Sequence, residues 1–346
     1  MPPASSAGAT PRHLVRLHDL EPSAIDDLID HAQRLKRRAA RADLVGRTIG
    51  MLFFRGSLRT RTSFEAAVHQ LGGHTINLNA SSDFWELEDR EGTVMDGKAP
   101  EHIKDAARAL SHYVNALAIR PAPAGQSWAV DRRDAQIASW ARHSAVPVIN
   151  MESALWHPLQ ALADMMTLRE SLGELKGRRL ALVWVHSPEP ASLAVPHSLL
   201  VPALRAGMDV SVAHPTGFGL DDGVVGEAQE AAARAGTKLA VGGSLEDAVR
   251  GADVVYARSW QSLEDYGNTT LAASRRARLS SWRVDRKAME LGRDARFMHA
   301  MPVRRNVEVT DEVLDGAQSL VQAQAENRLH TQKALLAMLL KVSGAA

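Results

Sequence analysis

Residues 48–73 read TIGMLFFRGSLRTRTSFEAAVHQLGG, and this stretch decides the fold. Its first part, Thr48–Phe54, is a short unbroken apolar run, the pattern of a strand buried on both faces. Further on, Phe64, Ala67, Val68 and Leu71 recur at the i, i+3, i+4, i+7 spacing of one helix face, and Gly72-Gly73 stops the helix. Strand, polar turn and helix make the opening of a βαβ unit. Between strand and helix, Ser57–Ser63 holds Arg59 and Arg61 with the hydroxyls of Ser57, Thr60, Thr62 and Ser63. Such a turn can bind an anion through guanidinium and helix-start N–H groups. It can equally be a capped, solvated helix start.

The alternation continues in both directions. A helix is expected over 24–40, a strand over 74–78, and a polar loop over 79–98. A helix over 100–114 would carry Pro100 at its first position. Strand 115–120, helix 135–143 and strand 146–151 follow. In the second half, helices over 157–173, 195–207, 224–236 and 245–251 alternate with strands over 178–185, 209–215, 238–243 and 252–257. A last strand and loop span 295–302, and a closing helix runs from Asn327 to Leu340. The apolar strands "LALVWV" and "ADVVYA" belong to parallel sheets covered on both faces. The expected class is α/β, with two doubly wound parallel-sheet domains, a joint near Met151–His157 and a cleft between them.

Composition narrows the function. The chain has 346 residues, 45% hydrophobic and 23% charged, with a formal net charge of +1, which gives no general reason to bind nucleic acid or a membrane surface. It has no cysteine, so disulfides, thiolate metal sites and cysteine nucleophiles are excluded. No apolar run reaches the roughly 18 residues of a membrane span. Residues 1–12, rich in Pro, Ala and Ser, read as a disordered tail, and a cytoplasmic protein is expected. "GFGLDDG" (217–223) lacks the spacing of a dinucleotide fingerprint, and no Walker A pattern occurs.

In open parallel sheets, ligands bind beyond the carboxyl ends of the strands. The chemistry-bearing residues of this chain gather there in the expected layout: Ser57–Thr60, Arg120, Glu152, His157, Arg258, His299, Arg304 and Arg305. Singly, each has a plainer role. Ser57 or Thr60 is commonly an N-cap, Arg120 a salt-bridge arginine, His157 a loop histidine, and Arg304-Arg305 a solvated pair.

Three segments carry a resemblance. "SLRTRTSFE" (57–65) resembles the S-x-R-T-R carbamoyl-phosphate signature of aspartate and ornithine carbamoyltransferases. "HPLQALADMMTL" (157–168) resembles their H-P-x-Q-x-x-A-D helix, and "FMHAMPVRRNVEVTDEV" (297–313) their H-C-L-P segment. Order and spacing are similar over about residues 13–342. Within the family, segments 84–103, 183–190, 256–260 and 325–330 resemble the N-acetylornithine and N-succinylornithine branch.

The resemblance implies a carbamoyl-phosphate-binding domain over 13–152, an acceptor-binding domain over 153–322, and a C-terminal helix, 323–346, packing back on the first domain. It implies a homotrimer with shared active sites, a knot formed by the Pro-rich loop 186–196, and neither metal nor cofactor. Carbamoyl phosphate would meet Ser57, Leu58, Arg59, Thr60, Arg120, His157, Gln160 and Arg328. The peptide of Ala300 and Met301 would lie by the carbamoyl group, and Trp85 would reach in from a neighbouring subunit. Arg59, Arg120 and His157 would be catalytic. The acceptor would meet Glu152, Arg258, Met301, Arg304, Glu189 and Pro100.

The chain departs from the pattern on the acceptor side. Ala300-Met301 stands where the family has Cys-Leu, and Ser187 and Glu189 stand where relatives on the branch have a His and a basic residue. Arg258 stands for a Lys, and Pro100 matches the succinyl type. The implied activity is carbamoyl transfer from carbamoyl phosphate to the side-chain amine of an ornithine-like, N-acylated amino acid. The alternatives are another diamino acid, a diaminopropionate-containing cationic natural product, or a non-catalytic carbamoyl-phosphate-binding paralogue.

Overall fold

The computed structural model describes residues 13–37 and 43–341. The expected tail, residues 1–12, lies outside the described residues, as do positions 38–40 of the helix expected over 24–40. The chain forms two compact units. The first takes in Met1–Ala122, Ala135–Ser153 and Leu329–Ala346, and the second Pro123–Asp134 and Ala154–Arg328.

In chain order the first unit begins with α1 (Pro22–Lys36), β1 (Thr48–Phe53), α2 (Arg59–Gln70) and β2 (His74–Asn79). Two short strands come next, β3 (Leu87–Glu88) and β4 (Glu101–His102), then α3 (Ile103–Leu110) and β5 (Ala116–Arg120). After α4 (Trp128–Asp131), which belongs to the second unit, come α5 (Ala135–His143) and β6 (Val148–Asn150). The main sheet is parallel throughout, in the order β2-β1-β5-β6. Strands β1, β5 and β6 are largely buried, whereas the edge strand β2 is not: Leu52, Ile119 and Val148 are buried with Ile103 and Ala107 of α3 and with Ile137 and Trp140 of α5. Each such large side chain contributes about 1.5–3 kcal/mol on burial.

The second unit continues with α6 (Pro158–Leu172), β7 (Arg179–Trp184), α7 (Ala194–Arg205), β8 (Asp209–Ala213), α8 (Asp222–Ala235) and β9 (Leu239–Val241). Then come α9 (Leu245–Val249), β10 (Val254–Arg258), α10 (Thr269–Ala277), α11 (Arg286–Glu290), β11 (Arg296–Met298) and α12 (Asp311–Leu314). The last helix, α13 (Val321–Leu339), starts in this unit and ends in the first. The sheet is again parallel, in the order β11-β10-β7-β8-β9. Ala181, Val183, Val255 and Phe297 form its core with Leu245, Val249, Val309 and Val321.

Segment 123–134 joins this unit through side chains. Trp128 Nε1 and Arg132 Nε both donate to Asp221 Oδ2, at 2.7 and 2.8 Å, and Tyr266 OH donates to Asp131 Oδ2 at 2.7 Å. Gly267 has φ +86°, and a Cβ there would run into the Gln126 carbonyl, so the close approach requires glycine. The Pro-rich loop after β7 is tied to the chain beyond β10. Ala191 N donates to Ser259 O at 3.1 Å, and His186 N to Trp282 O at 2.7 Å.

Pro100 does not start a helix. The N-cap of α3 is His102, whose Nδ1 accepts from Lys104 N at 3.0 Å, and Pro100 lies exposed ahead of β4. The imidazole supplies the acceptor that the helix start needs, so the boundary moves inward. The expected polar loop contains β3, which pairs in parallel with β4. Helix α2 begins at Arg59, five residues before the first residue of its apolar face, Phe64, and α13 begins at Val321 rather than Asn327.

Candidate active site

Strand order locates the switch point of each sheet. In the first, the chain leaves β1 toward β2 on one side and reaches β5 and β6 on the other, so the crevice lies at the carboxyl ends of β1 and β5. In the second, β7 and β10 play that part. Arg120 ends β5 and Arg258 ends β10.

In the first unit, Arg120 sits in register with Phe53 of β1. Its Nη2 lies 2.6 Å from Glu152 Oε2, and its Nη1 donates to Met151 O at 3.1 Å. The side chains of Arg120 and Glu152 are only 11% and 8% exposed, so this ion pair is little screened. Arg55, in the loop after β1, meets the same glutamate: Nη2 is 3.3 Å from Oε1 and donates to the Glu152 carbonyl at 3.2 Å. Glu152 has φ +137°, a conformation that costs a non-glycine residue about 1–3 kcal/mol and persists where neighbours impose it. One imposing contact is Glu152 N donating to Asn150 Oδ1 at 3.0 Å.

The side chains of Ser57–Ser63 divide by their contacts. Thr62 Oγ1 donates to Leu58 O at 2.8 Å, Ser63 Oγ lies 3.2 Å from Gln332 Oε1, and Arg61 stands 5.0 Å over the Phe53 ring. Those three hold the fold. Helix α2 has Leu58 at its N-cap and no side-chain cap, so Ser57 and Thr60 are not the caps they resemble. Leu58 is 75% exposed, while Ser57 and Arg59 are half-buried and Thr60 is buried.

In the second unit, His157 is the N-cap of α6, with Pro158 at N1, and its backbone N donates to Ser198 Oγ at 2.7 Å. Gln160 Oε1 accepts from Arg328 Nη1 at 2.7 Å, and its Nε2 donates to Asp164 Oδ1 at 2.8 Å. Asp164 also accepts from Gln324 Nε2 and Tyr256 OH, both at 2.9 Å. Burial pushes its carboxyl up to about 6, against the opposing pull of Gln324, Gln160, Tyr256 and Arg328. Gln324 Oε1 in turn accepts from His299 N at 2.8 Å.

The loop after β11 is held from inside. His299 Nδ1 accepts from Met301 N at 2.9 Å, so Nε2 carries the proton donated to Glu308 Oε2 at 2.8 Å. Burial raises the Glu308 carboxyl, but His299, with Ser187 and Arg258, brings it below its usual value. Met301 has φ +54°, the peptide Met301–Pro302 is cis, and Met301 O accepts from Arg258 Nη1 at 3.2 Å. Ala300, between His299 and Met301, is half-buried.

The structure thus brings together Arg120 with Glu152, Gln160 with Arg328, and Arg258 with Met301. Glu189 is 84% exposed and lies 3.3 Å from Arg304, a surface pair. Arg305, expected among the strand-end residues, is bound by Asp311 and Asp315 at 2.6–2.8 Å, which hold its charge on the surface. Trp85 is 57% exposed, its Nε1 donating to Glu101 Oε2 at 2.8 Å. Sequence reasoning missed Arg55 and Asp164. The available signals were a charge just after a strand, and an acid one helical turn from Gln160 in the buried, mainly apolar first part of α6.

Fold and site together define an α/β protein of two parallel-sheet units, with a guanidinium at the switch point of each unit's main sheet. Residues 12–170 match the family description "Aspartate/ornithine carbamoyltransferase, carbamoyl-P binding domain", and residues 177–339 match "Aspartate/ornithine carbamoyltransferase, Asp/Orn binding domain". An N-acetylornithine carbamoyltransferase of Xylella fastidiosa is 40% identical over 331 residues, 95% of this chain and 98% of its own length. An ornithine carbamoyltransferase of Acidothermus cellulolyticus is 38% identical over 336 residues, 96% of this chain and 98% of its own. The crystal structure of an acetylornithine transcarbamylase complexed with acetylcitrulline superposes with a TM-score of 0.92 at 40% identity, covering 95% of this chain and 99% of that one. The chain belongs to the aspartate/ornithine carbamoyltransferase family.

Proposed function

We propose that the chain transfers the carbamoyl group of carbamoyl phosphate to the side-chain amine of an N-acylated, ornithine-type amino acid. The observation that carries this reading is Arg120. It is fixed by Glu152 and Met151 O at the switch point of the first sheet, in register with the strand that leads into α2, whose start has no side-chain cap. The phosphate is assigned to Ser57, Leu58, Arg59 and Thr60, and the carbamoyl oxygen to Arg120 and His157. Gln160, Arg328 and the Ala300-Met301 peptide are assigned to the rest of the carbamoyl group. The acceptor is assigned to Glu152, Arg258, Met301, Arg304, Glu189 and Pro100.

The neutral amine attacks the carbamoyl carbon, and Arg120 and His157 stabilise the oxyanion. The C–O bond to phosphate then breaks, phosphate leaves with the electron pair, and the proton from the amine leaves with it. Holding the two reactants in line supplies roughly 7–11 kcal/mol of the barrier. A phosphorylated, doubly charged donor does not cross a membrane unaided, so the proposed compartment is the cytoplasm. Among the described residues no helix is long and apolar enough to cross a membrane.

The acylated acceptor is supported by the relatives. A further neighbour, a glutamate-to-proline variant of N-acetyl-L-ornithine transcarbamylase, was complexed with carbamyl phosphate and N-succinyl-L-norvaline. This chain carries Pro100 of its own. Glu189 and Arg304 form an exposed pair at 3.3 Å, which is weak and leaves either side chain available to an acceptor. A screen of N-succinylornithine, N-acetylornithine, ornithine and a diaminopropionyl amine by mass spectrometry tests the reading. An acylated ornithine is expected to gain one carbamoyl group. Carbamoyl-phosphate binding without transfer to any amine would leave the non-catalytic reading standing.

We also propose a homotrimer in which Trp85 serves a neighbour's site, and a knot where the loop tied to Ser259 and Trp282 crosses its own chain. An inactive Trp85→Ala chain mixed with an inactive Arg120→Ala chain is then expected to regain activity, at up to about a quarter of the sites. Subunit exchange without recovery would place Trp85 at its own subunit's site or at none.

A further inference from the structure

We infer that Arg55 is a positioning residue for carbamoyl transfer, acting on Arg120 through Glu152. The inference rests on the function proposed above. Arg55 lies 97 residues from Glu152 in the chain, yet it touches the glutamate twice, at Oε1 (3.3 Å) and at the carbonyl oxygen (3.2 Å). Arg120 takes the other carboxylate oxygen at 2.6 Å. One carboxylate, carried past the end of β6, therefore reaches across the end of β5 to the loop after β1, in a sheet ordered β1-β5-β6.

The geometry gives each contact a consequence. Glu152 stands at φ +137°, and the Arg55 bond to its carbonyl helps to hold that conformation, which aims the side chain at Arg120. A carboxylate gripped at one oxygen can rotate. Gripped at both, it presents a fixed edge to the Arg120 fork, whose second nitrogen is fixed by Met151 O. The three charges sum to +1, so the cluster keeps a net positive charge toward an anion while Arg120 stays oriented. With both carboxylate oxygens engaged inside the first unit, Glu152 acts on the reaction chiefly as the counter-ion of Arg120. An acceptor amine would have to share those oxygens.

Steady-state kinetics of the full-length enzyme with Arg55→Met, Arg55→Lys, Glu152→Gln and the Arg55→Met/Glu152→Gln double variant test this. Arg55→Met is expected to lower kcat about 10- to 100-fold, the scale of a misplaced catalytic group. Carbamoyl-phosphate affinity by calorimetry should stay within about threefold, because the phosphate-binding residues are untouched. Arg55→Lys, which keeps the charge and loses the fork, is expected to fall between the two. In the Glu152→Gln background the Arg55 substitution should cost clearly less than in wild type, since the carboxylate link to Arg120 is weakened and only the contact to the residue 152 carbonyl is kept. Additive losses overturn the inference, and so does a melting temperature that falls while kcat holds. If the methionine variant does not fold, the lysine variant in the same cycle decides. Active wild-type enzyme with indifferent Arg55 variants sinks only the positioning role. Wild-type enzyme that carbamoylates no amine overturns the transfer reading and this inference with it.

Discussion

Arg59→Ala is expected to loosen carbamoyl-phosphate binding about 100- to 1000-fold, with little change in stability. The phosphate carries about two negative charges. An arginine fork meeting it makes two charge-assisted hydrogen bonds, each worth roughly 1.5–3 kcal/mol where water is excluded. Stability should be nearly indifferent because Arg59 is half-buried and opens α2, where a positive charge opposes the helix dipole and alanine is a good helix former. Arg61 provides the contrast. It lies over the Phe53 ring at 5.0 Å, so Arg61→Ala should affect packing more than donor affinity. Calorimetric titration with carbamoyl phosphate, beside thermal melts of both variants, checks this. Unaltered donor affinity in Arg59→Ala would remove this arginine from the phosphate site.

Arg59 and Arg61 are close in sequence but differ in surroundings, and a sequence shows neither face nor depth. The fold was legible where burial imposes a pattern. "TIGMLF", "RLALVW" and "VVYAR" are strands to within a residue or two of expectation, because a strand covered on both faces is mainly apolar. It was illegible where local capping decides. Pro100 carried the sign of a helix start, but the imidazole of His102 capped the helix two residues later. Helices α10 to α12 have four to nine residues and little apolar period, and α10 and α11 are set by Asn268 and Asp285 at their N-caps.

The candidate site divides the same way. Strand ends could be read, and so could Arg120 and Arg258 at the ends of β5 and β10. Partners could not, because pairing is a tertiary event. Gln160 and Arg328 are separated by 168 positions, and Arg55 and Glu152 by 97. Glu152, read as a group for the acceptor, is also the counter-ion that fixes Arg120.

Asp164→Ala is expected to destabilise the second unit by about 3–5 kcal/mol, while Asp164→Asn leaves it folded and removes a pH dependence. Asp164 is fully buried and accepts from Gln160, Gln324 and Tyr256. Alanine strands all three donors in a dry site and frees Gln160 to turn away from Arg328, so activity should fall with stability. Asparagine keeps Oδ1 for the two amides, and Tyr256 OH can rotate to accept from the new Nδ2.

The pH sign comes from burial. The carboxyl rises from 3.8 in the unfolded chain to about 6 in the fold, so between those values the folded state binds the proton more tightly. The contribution is fully present below about 3.8 and is lost as pH rises through about 6. The shift of roughly two units corresponds to about 3 kcal/mol. Urea unfolding of wild type, Asp164→Asn and Asp164→Ala between pH 4 and 8 measures both effects. The wild type should lose stability relative to Asp164→Asn across that window, and the alanine variant should lie well below both at pH 7. An identical pH slope in wild type and Asp164→Asn would mean that this carboxylate does not titrate there. A loss under about 1 kcal/mol in Asp164→Ala would mean that the three donors find other partners.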